Sequence, residues 1–170
     1  MTVPFDDESG PDLPGAVPQE AASDPVAARR KAMDLLARRE YCRQELAARL
    51  GKAGFVPEVA ESTVSDLSRE GLLDDARFAE SLLRARAGRG QGPVRIRQEL
   101  RQRGVEEGVA EQALEASSQD WIELARSVRQ KKFGARLPTD FADKARQMRF
   151  LEYRGFGHEQ IRAAVGGDDD

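Results

Sequence analysis

The fold is decided by a stretch in the middle of the chain, "RQELRQRGVEEGVAEQAL" at residues 97–114. Leu100 leads at helical spacing to Gly104, Val105 follows the glycine at once, and Val109 and Leu114 continue the apolar pattern. A glycine here is typical of the residue just past a helix, where a left-handed backbone is needed and the next apolar side chain packs back onto the helix. The stretch therefore predicts two helices joined by a tight glycine turn.

The same pattern occurs twice more, in "QELAARLGKAGFVPEVAESTV" (44–64) and "QMRFLEYRGFGHEQIRAAV" (147–165). Each copy has a leucine four residues before a glycine and a large apolar residue directly after it. The three sets are Leu50, Gly54 and Phe55; Leu100, Gly104 and Val105; Leu151, Gly155 and Phe156. The glycines stand 50 and 51 residues apart. A period of this length indicates stacked repeats, so we predict an all-α, elongated and curved array of three tandem three-helix repeats, with Gly54, Gly104 and Gly155 in a structural role.

The remaining helix signals complete this array. Pro57 and Pro93 each suit the first turn of a helix. Asp74 and Asp75 can cap the helix that carries Phe78, and their charge complements the helix dipole. No run of β-branched residues alternates as a strand would. The predicted repeats span residues 26–75, 76–118 and 119–167.

Both ends of the chain are acidic. Residues 1–25 carry six acidic and no basic side chains, are rich in proline and lack apolar periodicity, so we predict a disordered tail there. Residues 168–170 are three aspartates and form an acidic C-terminal end. Without these ends the chain carries 27 basic and 21 acidic side chains, a net charge of +6. A basic body predicts a polyanionic partner or a partner with an acidic surface.

The residues needed for catalysis are scarce. His158 is the single histidine and Cys42 the single cysteine, so we predict no metal site and no catalytic nucleophile with a base beside it. We therefore expect a protein that is not an enzyme and needs no cofactor. No apolar run approaches the ~20 residues of a membrane span, and the N-terminus lacks the features of a secretory signal. The sequence predicts a cytoplasmic monomer without membrane contact.

Positive charge is concentrated in "RARAGRGQGPVRIRQELRQRG" at residues 84–104, which contains seven arginines and a single acidic residue, Glu99. On a helical wheel, Ile96 and Leu100 fall on the side that faces the core. Glu99 and Arg103 form a pair four residues apart in the favourable order, and Arg84 lies on the outer face of the preceding helix, within reach of Glu80. Five arginines are then predicted to be free for a partner: Arg84, Arg89, Arg95, Arg97 and Arg101.

Arg86 differs from these five because it lies four residues after Leu82, within the apolar stripe. Either the helix frays at this residue, or Arg86 is partly buried between repeats and needs an acidic partner, for which we expect Asp74 or Asp75. In the second case Arg86 has a structural role. Three alternating glycines, Gly88, Gly90 and Gly92, follow it. They predict a flexible hinge between helices in preference to a backbone nest for an anion.

Charge alone leaves the class of partner open between nucleic acid and acidic protein. The arginine-rich stretch contains no aromatic residue, which argues against base stacking there. No recognition-helix signature for reading DNA sequence is present. If nucleic acid is bound, the pattern favours contacts to its backbone.

Several runs in order resemble the RecX family, the regulators of the bacterial RecA recombinase. They are "EGLLDDARFAESLLRARAGRG" (70–90), which holds Asp74, Asp75, Arg77, Phe78 and Arg86, then "RIRQELRQRGV" (95–105) and "LLARREYCRQELAARLGKAGF" (35–55). Cys42 stands where serine or threonine is expected, and the third repeat resembles the family more loosely. The resemblance implies tandem three-helix repeats without enzymatic activity.

The resemblance also implies a partner. A RecX protein binds the RecA filament on single-stranded DNA and inhibits strand exchange and ATP hydrolysis, which places it in recombination, DNA repair and the SOS response. Weak direct affinity for single- or double-stranded DNA is implied as well. Two alternatives remain: a non-sequence-specific DNA-binding protein that acts through its basic middle repeat, and a helical scaffold for another partner.

Overall fold

A computed structural model of the chain describes residues 16–166, and all regular structure within that range is helical. A short 3-10 helix at Gln19–Ala21 precedes nine α-helices. These are α1 (Pro25–Leu36), α2 (Arg43–Lys52), α3 (Pro57–Arg69), α4 (Asp75–Gly88), α5 (Pro93–Gln102), α6 (Glu107–Ala116), α7 (Trp121–Phe133), α8 (Phe141–Tyr153) and α9 (His158–Ala164). The prediction of an all-α protein is confirmed.

The helices pack in three consecutive sets of three, α1 to α3, α4 to α6 and α7 to α9. The chain forms two compact units, Met1–Leu73 and Asp74–Asp170. The first unit contains the first set of helices, and the second unit contains the other two sets. The predicted three tandem three-helix repeats are therefore present.

The glycine turns join the second and third helices of every repeat, as the sequence predicts. In each turn the N–H of the apolar residue after the glycine donates to the carbonyl of the leucine four residues before the glycine. The three bonds are Phe55 to Leu50, Val105 to Leu100 and Phe156 to Leu151, at 3.1, 3.0 and 3.1 Å. This is the hydrogen bond that closes a helix through a left-handed glycine, and φ is indeed positive at Gly54, Gly104 and Gly155. All three leucines are fully buried.

The predicted disorder of residues 1–25 is wrong for Ala16–Asp24, while residues 1–15 lie outside the described range, as do residues 168–170. The Val17 N–H donates to the Ala53 carbonyl at 2.8 Å, and the Val56 N–H donates to the Ala22 carbonyl at 3.0 Å. Val17 packs against the core of the first unit, whose largest fully buried side chains are Leu46, Leu50, Leu67 and Leu73. Two backbone bonds and one apolar contact order this segment although it has no apolar periodicity.

The predicted cap of α4 is confirmed. The Asp74 side chain accepts hydrogen bonds from the N–H groups of Ala76 and Arg77 at 2.9 and 3.2 Å, and Asp75 is the first residue of the helix. Phe78 is buried one turn further, whereas the Arg77 side chain is exposed. The Gly-Leu-Leu-Asp-Asp run therefore fixes where the second unit begins.

The third repeat has a polar side chain at a core position that is apolar in the other two repeats. Gln147 stands four residues before Leu151, the place that Leu46 and Ile96 hold in the first two repeats, and it is 2% exposed. Its amide oxygen accepts from Arg129, which is also buried, and its amide nitrogen donates to Asp143 at 3.1 Å. This polar core accounts for the looser sequence pattern of the third repeat.

Candidate basic interface

The helix α5 organises the basic middle repeat. Gly92 precedes the helix, Pro93 is its first residue, and Ile96 and Leu100 are both fully buried. Because the two apolar positions face the core, the arginines of the helix lie at its flanks and on its outer face. The structure shows which of these arginines are neutralised within the protein.

Arg86 is 7% exposed, and its partner is Glu99 on α5, not Asp74 or Asp75 as expected. The Arg86 Nε and Nη2 groups donate to the two carboxylate oxygens of Glu99 at 2.8 and 2.7 Å. Arg103 donates to the same carboxylate at 3.1 Å, as predicted from the spacing. Asp74 cannot serve because its carboxylate caps the opposite end of α4.

This ion-pair cluster shifts the pKa values of its members. Burial raises the pKa of Glu99, but hydrogen bonds and charge from Arg86 and Arg103 outweigh it, so the pKa lies below its ordinary value. The hydrogen bond to Glu99 raises the pKa of Arg86 against the opposing effect of burial. Arg86 is thus a structural residue that ties α4 to α5, as the sequence predicts.

Two of the five arginines that were expected to be free are engaged. Arg97 donates from Nε and from Nη2 to the Glu111 carboxylate on α6, the second contact at 3.3 Å. Arg95 reaches the Tyr153 carbonyl at 3.5 Å and lies 5.8 Å from the centroid of the Tyr153 ring. The prediction missed these partners because a helical wheel gives the face of a residue but not the side chains of neighbouring helices.

The other three arginines remain accessible. Arg84 and Arg89 are exposed, and neither makes an ion pair with a residue in the described range; the expected pair between Glu80 and Arg84 does not form. Arg101 is 3.5 Å from Glu107, with both side chains about two-thirds exposed or more (69% and 73%). An exposed ion pair of this kind contributes little to stability, so Arg101 can leave Glu107 for another partner at a small cost in free energy.

The glycines after α4 form a fixed joint, which corrects the expectation of a flexible hinge. The Gly92 N–H donates to the Arg154 carbonyl at 2.8 Å, and the Val94 N–H donates to the Gly155 carbonyl at 2.9 Å. A Cβ atom at Gly92 would overlap the Gly155 carbonyl, and a Cβ atom at Gly155 would overlap the Arg95 side chain. The second and third repeats therefore meet backbone against backbone, which explains the need for glycine.

Next to this joint lies a cleft of about 430 Å³ between the end of α4 and the helices α7 and α8. Four basic residues line it, Arg89, Lys131, Lys132 and Arg154, and none of its lining residues is acidic. The sequence analysis missed this cleft because its cations come from three separate segments. The adjacent lysines at 131 and 132 were the only local signal.

The single cysteine and the single histidine, considered above as a possible nucleophile and metal ligand, both lie at the N-terminal ends of helices. Cys42 is fully buried at the N-cap position of α2, and His158 is the exposed first residue of α9. Between residues 16 and 166, no group of three or more histidine, cysteine or acidic side chains is placed to hold a metal ion. No helix in the same range is long and apolar enough to cross a membrane.

Family models match all three repeats in order. Residues 28–67 match the model described as the first three-helix domain of RecX, residues 74–114 match the second, and residues 118–165 match the third.

Curated relatives agree with this match over most of their length. The chain is 48% identical to the regulatory protein RecX of Halorhodospira halophila (strain DSM 244 / SL1), over 89% of this chain and 94% of that one. It is 46% identical to the regulatory protein RecX of Ectopseudomonas mendocina (strain ymp), over 86% of this chain and 98% of that protein. Among solved structures, RecX from Lactobacillus salivarius has the same fold, with a TM-score of 0.73, 17% identity and coverage of 85% and 96%.

Proposed function

The chain belongs to the RecX family, and from that premise we propose that it binds the RecA filament on single-stranded DNA and inhibits strand exchange and ATP hydrolysis. The observation that carries this proposal is the match of all three repeats, in order, to the three RecX domains. The protein acts in the cytoplasm by binding, without a catalytic step of its own, and so modulates recombination and DNA repair.

The charges of the second repeat support a partner with an acidic surface. Arg84, Arg89 and Arg101 are exposed on one repeat, whereas Arg86 and Arg103 are committed to Glu99 and Arg97 to Glu111. A filament presents the same surface at each protomer. The three-helix repeats of this protein can therefore contact neighbouring protomers at the same time and gain avidity without any single strong contact.

The test is ATP hydrolysis by the cognate recombinase on single-stranded DNA while this protein is titrated in at about 0.15 M salt. We expect the rate to fall at well below one molecule per recombinase, because one molecule bound to a filament affects several protomers. The protein alone serves as the control for ATP hydrolysis of its own.

Two results would contradict the proposal. No effect at stoichiometric excess of folded protein would remove the recombinase as the partner. Recovery of the full rate on adding excess single-stranded DNA, at constant recombinase and inhibitor, would indicate competition for DNA instead of regulation of the filament.

A further inference from the structure

The segment Ala16–Asp24, which we call the strap, lies on the glycine turn of the first repeat. The Val17 N–H donates to the Ala53 carbonyl at 2.8 Å, and Ala53 is the residue directly before the glycine of that turn. A proline follows Val17, and the 3-10 helix Gln19–Ala21 begins directly after the proline. The Val17 side chain packs against the core of the first unit.

The second repeat lies on the glycine turn of the third repeat in the same way. The Gly92 N–H donates to the Arg154 carbonyl at 2.8 Å, and Arg154 directly precedes the glycine of that turn. Pro93 follows Gly92 and is the first residue of α5. In both places an N–H before a proline meets the carbonyl before the turn glycine. The strap therefore occupies, on the first repeat, the place that the loop between α4 and α5 occupies on the third.

The strap is held less closely than that loop. A Cβ atom at Gly155 would overlap the second repeat, whereas a Cβ atom at Gly54 would meet Val17 only at ordinary contact distances of 3.5–3.7 Å. Besides the Val17 bond, one further backbone bond ties the strap to the turn, from the Val56 N–H to the Ala22 carbonyl at 3.0 Å. A segment with so few contacts can open locally without unfolding of the repeat.

The third repeat has a loop, between α7 and α8, that corresponds to the loop of Gly92 and Pro93. It contains Leu137 followed by a proline, and Leu137 is 51% exposed. Its N–H makes no backbone hydrogen bond within the described part of the chain. Phe141, at the start of α8, is 87% exposed. Buried Arg129 donates to the two carbonyls directly before Leu137, at 3.5 and 3.0 Å, and so fixes the loop that presents this apolar residue.

We propose that the strap covers a docking surface at the Gly54 turn, and that this surface, once the strap lifts, binds the Leu137 loop of a second copy of the chain. The second copy's Leu137 N–H then donates to the Ala53 carbonyl, and its side chain takes the place of Val17 against the core. The contact joins two different surfaces, so it does not close on itself and the strap limits head-to-tail growth. The inference goes beyond the proposed function, because neither recombinase nor DNA takes part.

Other occupants fit the observations less well. A second copy's Gly92 and Pro93 are already held in the joint of that copy's own repeats. A second copy's strap would make the same contacts as the original strap, but the exchange would leave Leu137 and Phe141 as exposed as before. A strap with only a structural role also leaves both apolar side chains in water, where exposed apolar patches usually mark a contact surface.

The test is sedimentation velocity of the full chain, without DNA or recombinase, from micromolar to near-millimolar protein. Val17→Pro removes the N–H that holds the strap. We expect the constant for self-association to rise at least about tenfold, because apparent affinity scales with the fraction of molecules whose surface is open. Hydrogen exchange at the Val56 N–H should become faster in this variant, since that bond reports opening of the strap.

A second variant and a matched control sharpen the test. Val17→Gly keeps the N–H and removes only the side chain, so it should give a smaller rise; it carries the same comparisons if circular dichroism shows Val17→Pro to be misfolded. Adding Leu137→Ser to Val17→Pro should abolish the gain in association. Adding Leu72→Ser instead changes a leucine of similar exposure (40%) outside the loop and should preserve the gain.

A mixing experiment tests whether two different surfaces meet. The chain with both Val17→Pro and Leu137→Ser has an open surface but lacks the loop side chain. The original chain has the loop but a covered surface. Each should stay largely monomeric alone, and an equimolar mixture should form a complex of two molecules.

Three results would overturn the proposal. If Val17→Pro stayed as monomeric as the original while Val56 exchanged faster, the uncovered surface would not bind a second copy. Unchanged exchange at Val56 would mean that other contacts hold the strap and that it is not a removable cover. Equal losses from Leu137→Ser and Leu72→Ser, or self-association of the chain with both Val17→Pro and Leu137→Ser, would assign the association to surfaces other than the Leu137 loop.

Discussion

Arg86 and Glu99 form a two-pronged ion pair that joins α4 to α5, with donor to acceptor distances of 2.8 and 2.7 Å and with both side chains largely buried. Arg103 adds a second guanidinium to the same carboxylate. Burial makes such a pair expensive to break, because the remaining partner would keep an uncompensated charge. The pair therefore enforces the packing of the two helices that carry five of the seven arginines at residues 84–104.

Glu99→Gln tests this pair. We expect the free energy of unfolding to fall by about 3 kcal/mol at neutral pH, since Arg86 then lies buried without a counter-charge. Urea unfolding followed by circular dichroism measures the change. The control, Glu107→Gln, removes an exposed partner of Arg101 and should cost less than about 0.5 kcal/mol. Equal effects of the two substitutions would show that the pair contributes no more than a surface contact.

The difference in unfolding free energy between the original protein and Glu99→Gln should depend on pH in a defined direction. The pKa of Glu99 is lower in the folded protein than its ordinary value. A carboxyl of this kind contributes its stabilisation above the pKa of the unfolded chain and loses it as pH falls through the folded pKa. The stability gap between the original protein and Glu99→Gln should therefore be full at neutral pH and shrink in acid. A gap that widens on acidification would contradict the assignment.

Gly92→Ala tests the joint between the second and third repeats. The added Cβ would overlap the Gly155 carbonyl, and backbone on both sides leaves no flexible group to move. We expect a loss of about 2 kcal/mol or more in unfolding free energy, together with faster hydrogen exchange at the N–H groups of Gly92 and Val94.

Gly108→Ala is the matched control for the joint, because a Cβ there meets nothing within 4 Å and the residue lies in α6. It should be neutral or stabilise the protein by up to about 1 kcal/mol. If Gly92→Ala were equally harmless, the two repeats would have to be joined more loosely than the backbone bonds indicate.

Local sequence signals predicted the fold well because the decisive interactions are local. The bond from Phe55 to Leu50 and its counterparts span five residues, so spacing alone identifies them. The burial of Arg86 also follows from its phase relative to Leu82. Its partner does not, because helical phase gives no information on which side chain of a neighbouring helix lies opposite.

The basic cleft was even harder to predict from the sequence than the partner of Arg86. Arg89 and Lys131 lie 42 residues apart along the chain, and Lys131 and Arg154 lie 23 residues apart, so the three meet only through packing of the second repeat on the third. The glycines of the joint bring them together, yet in the sequence these glycines have the composition of a flexible loop. A close backbone contact and a hinge use the same residue type, and only the tertiary structure distinguishes them.

The polar core of the third repeat gives a prediction by double substitution. Arg129 Nη1 donates to Gln147 at 3.3 Å and to the Arg136 carbonyl at 3.0 Å, while its buried Nε has no hydrogen-bond partner in the described structure. Gln147→Leu removes an acceptor from a buried cation and should cost about 1–3 kcal/mol. Adding Arg129→Met should recover most of that loss, because an apolar pair replaces the polar one.

Urea unfolding of both single variants and the double variant measures this coupling. The two substitutions should be strongly non-additive, with the double variant more stable than the sum of the single changes predicts. Strict additivity would mean that Arg129 and Gln147 contribute independently, and the hydrogen bond between them would have no energetic role.

The arginines of the second repeat differ in their expected effect on the recombinase, if the proposed function holds. Arg84 and Arg101 are exposed, so Arg84→Gln with Arg101→Gln removes two charges available to a partner. At about 0.5–0.7 kcal/mol for each contact, the concentration for half-inhibition of ATP hydrolysis should rise roughly tenfold. Arg97→Gln should have a smaller effect, because Glu111 already neutralises Arg97. A larger effect from Arg97→Gln than from the double variant would mean that Arg97 leaves Glu111 when the partner binds.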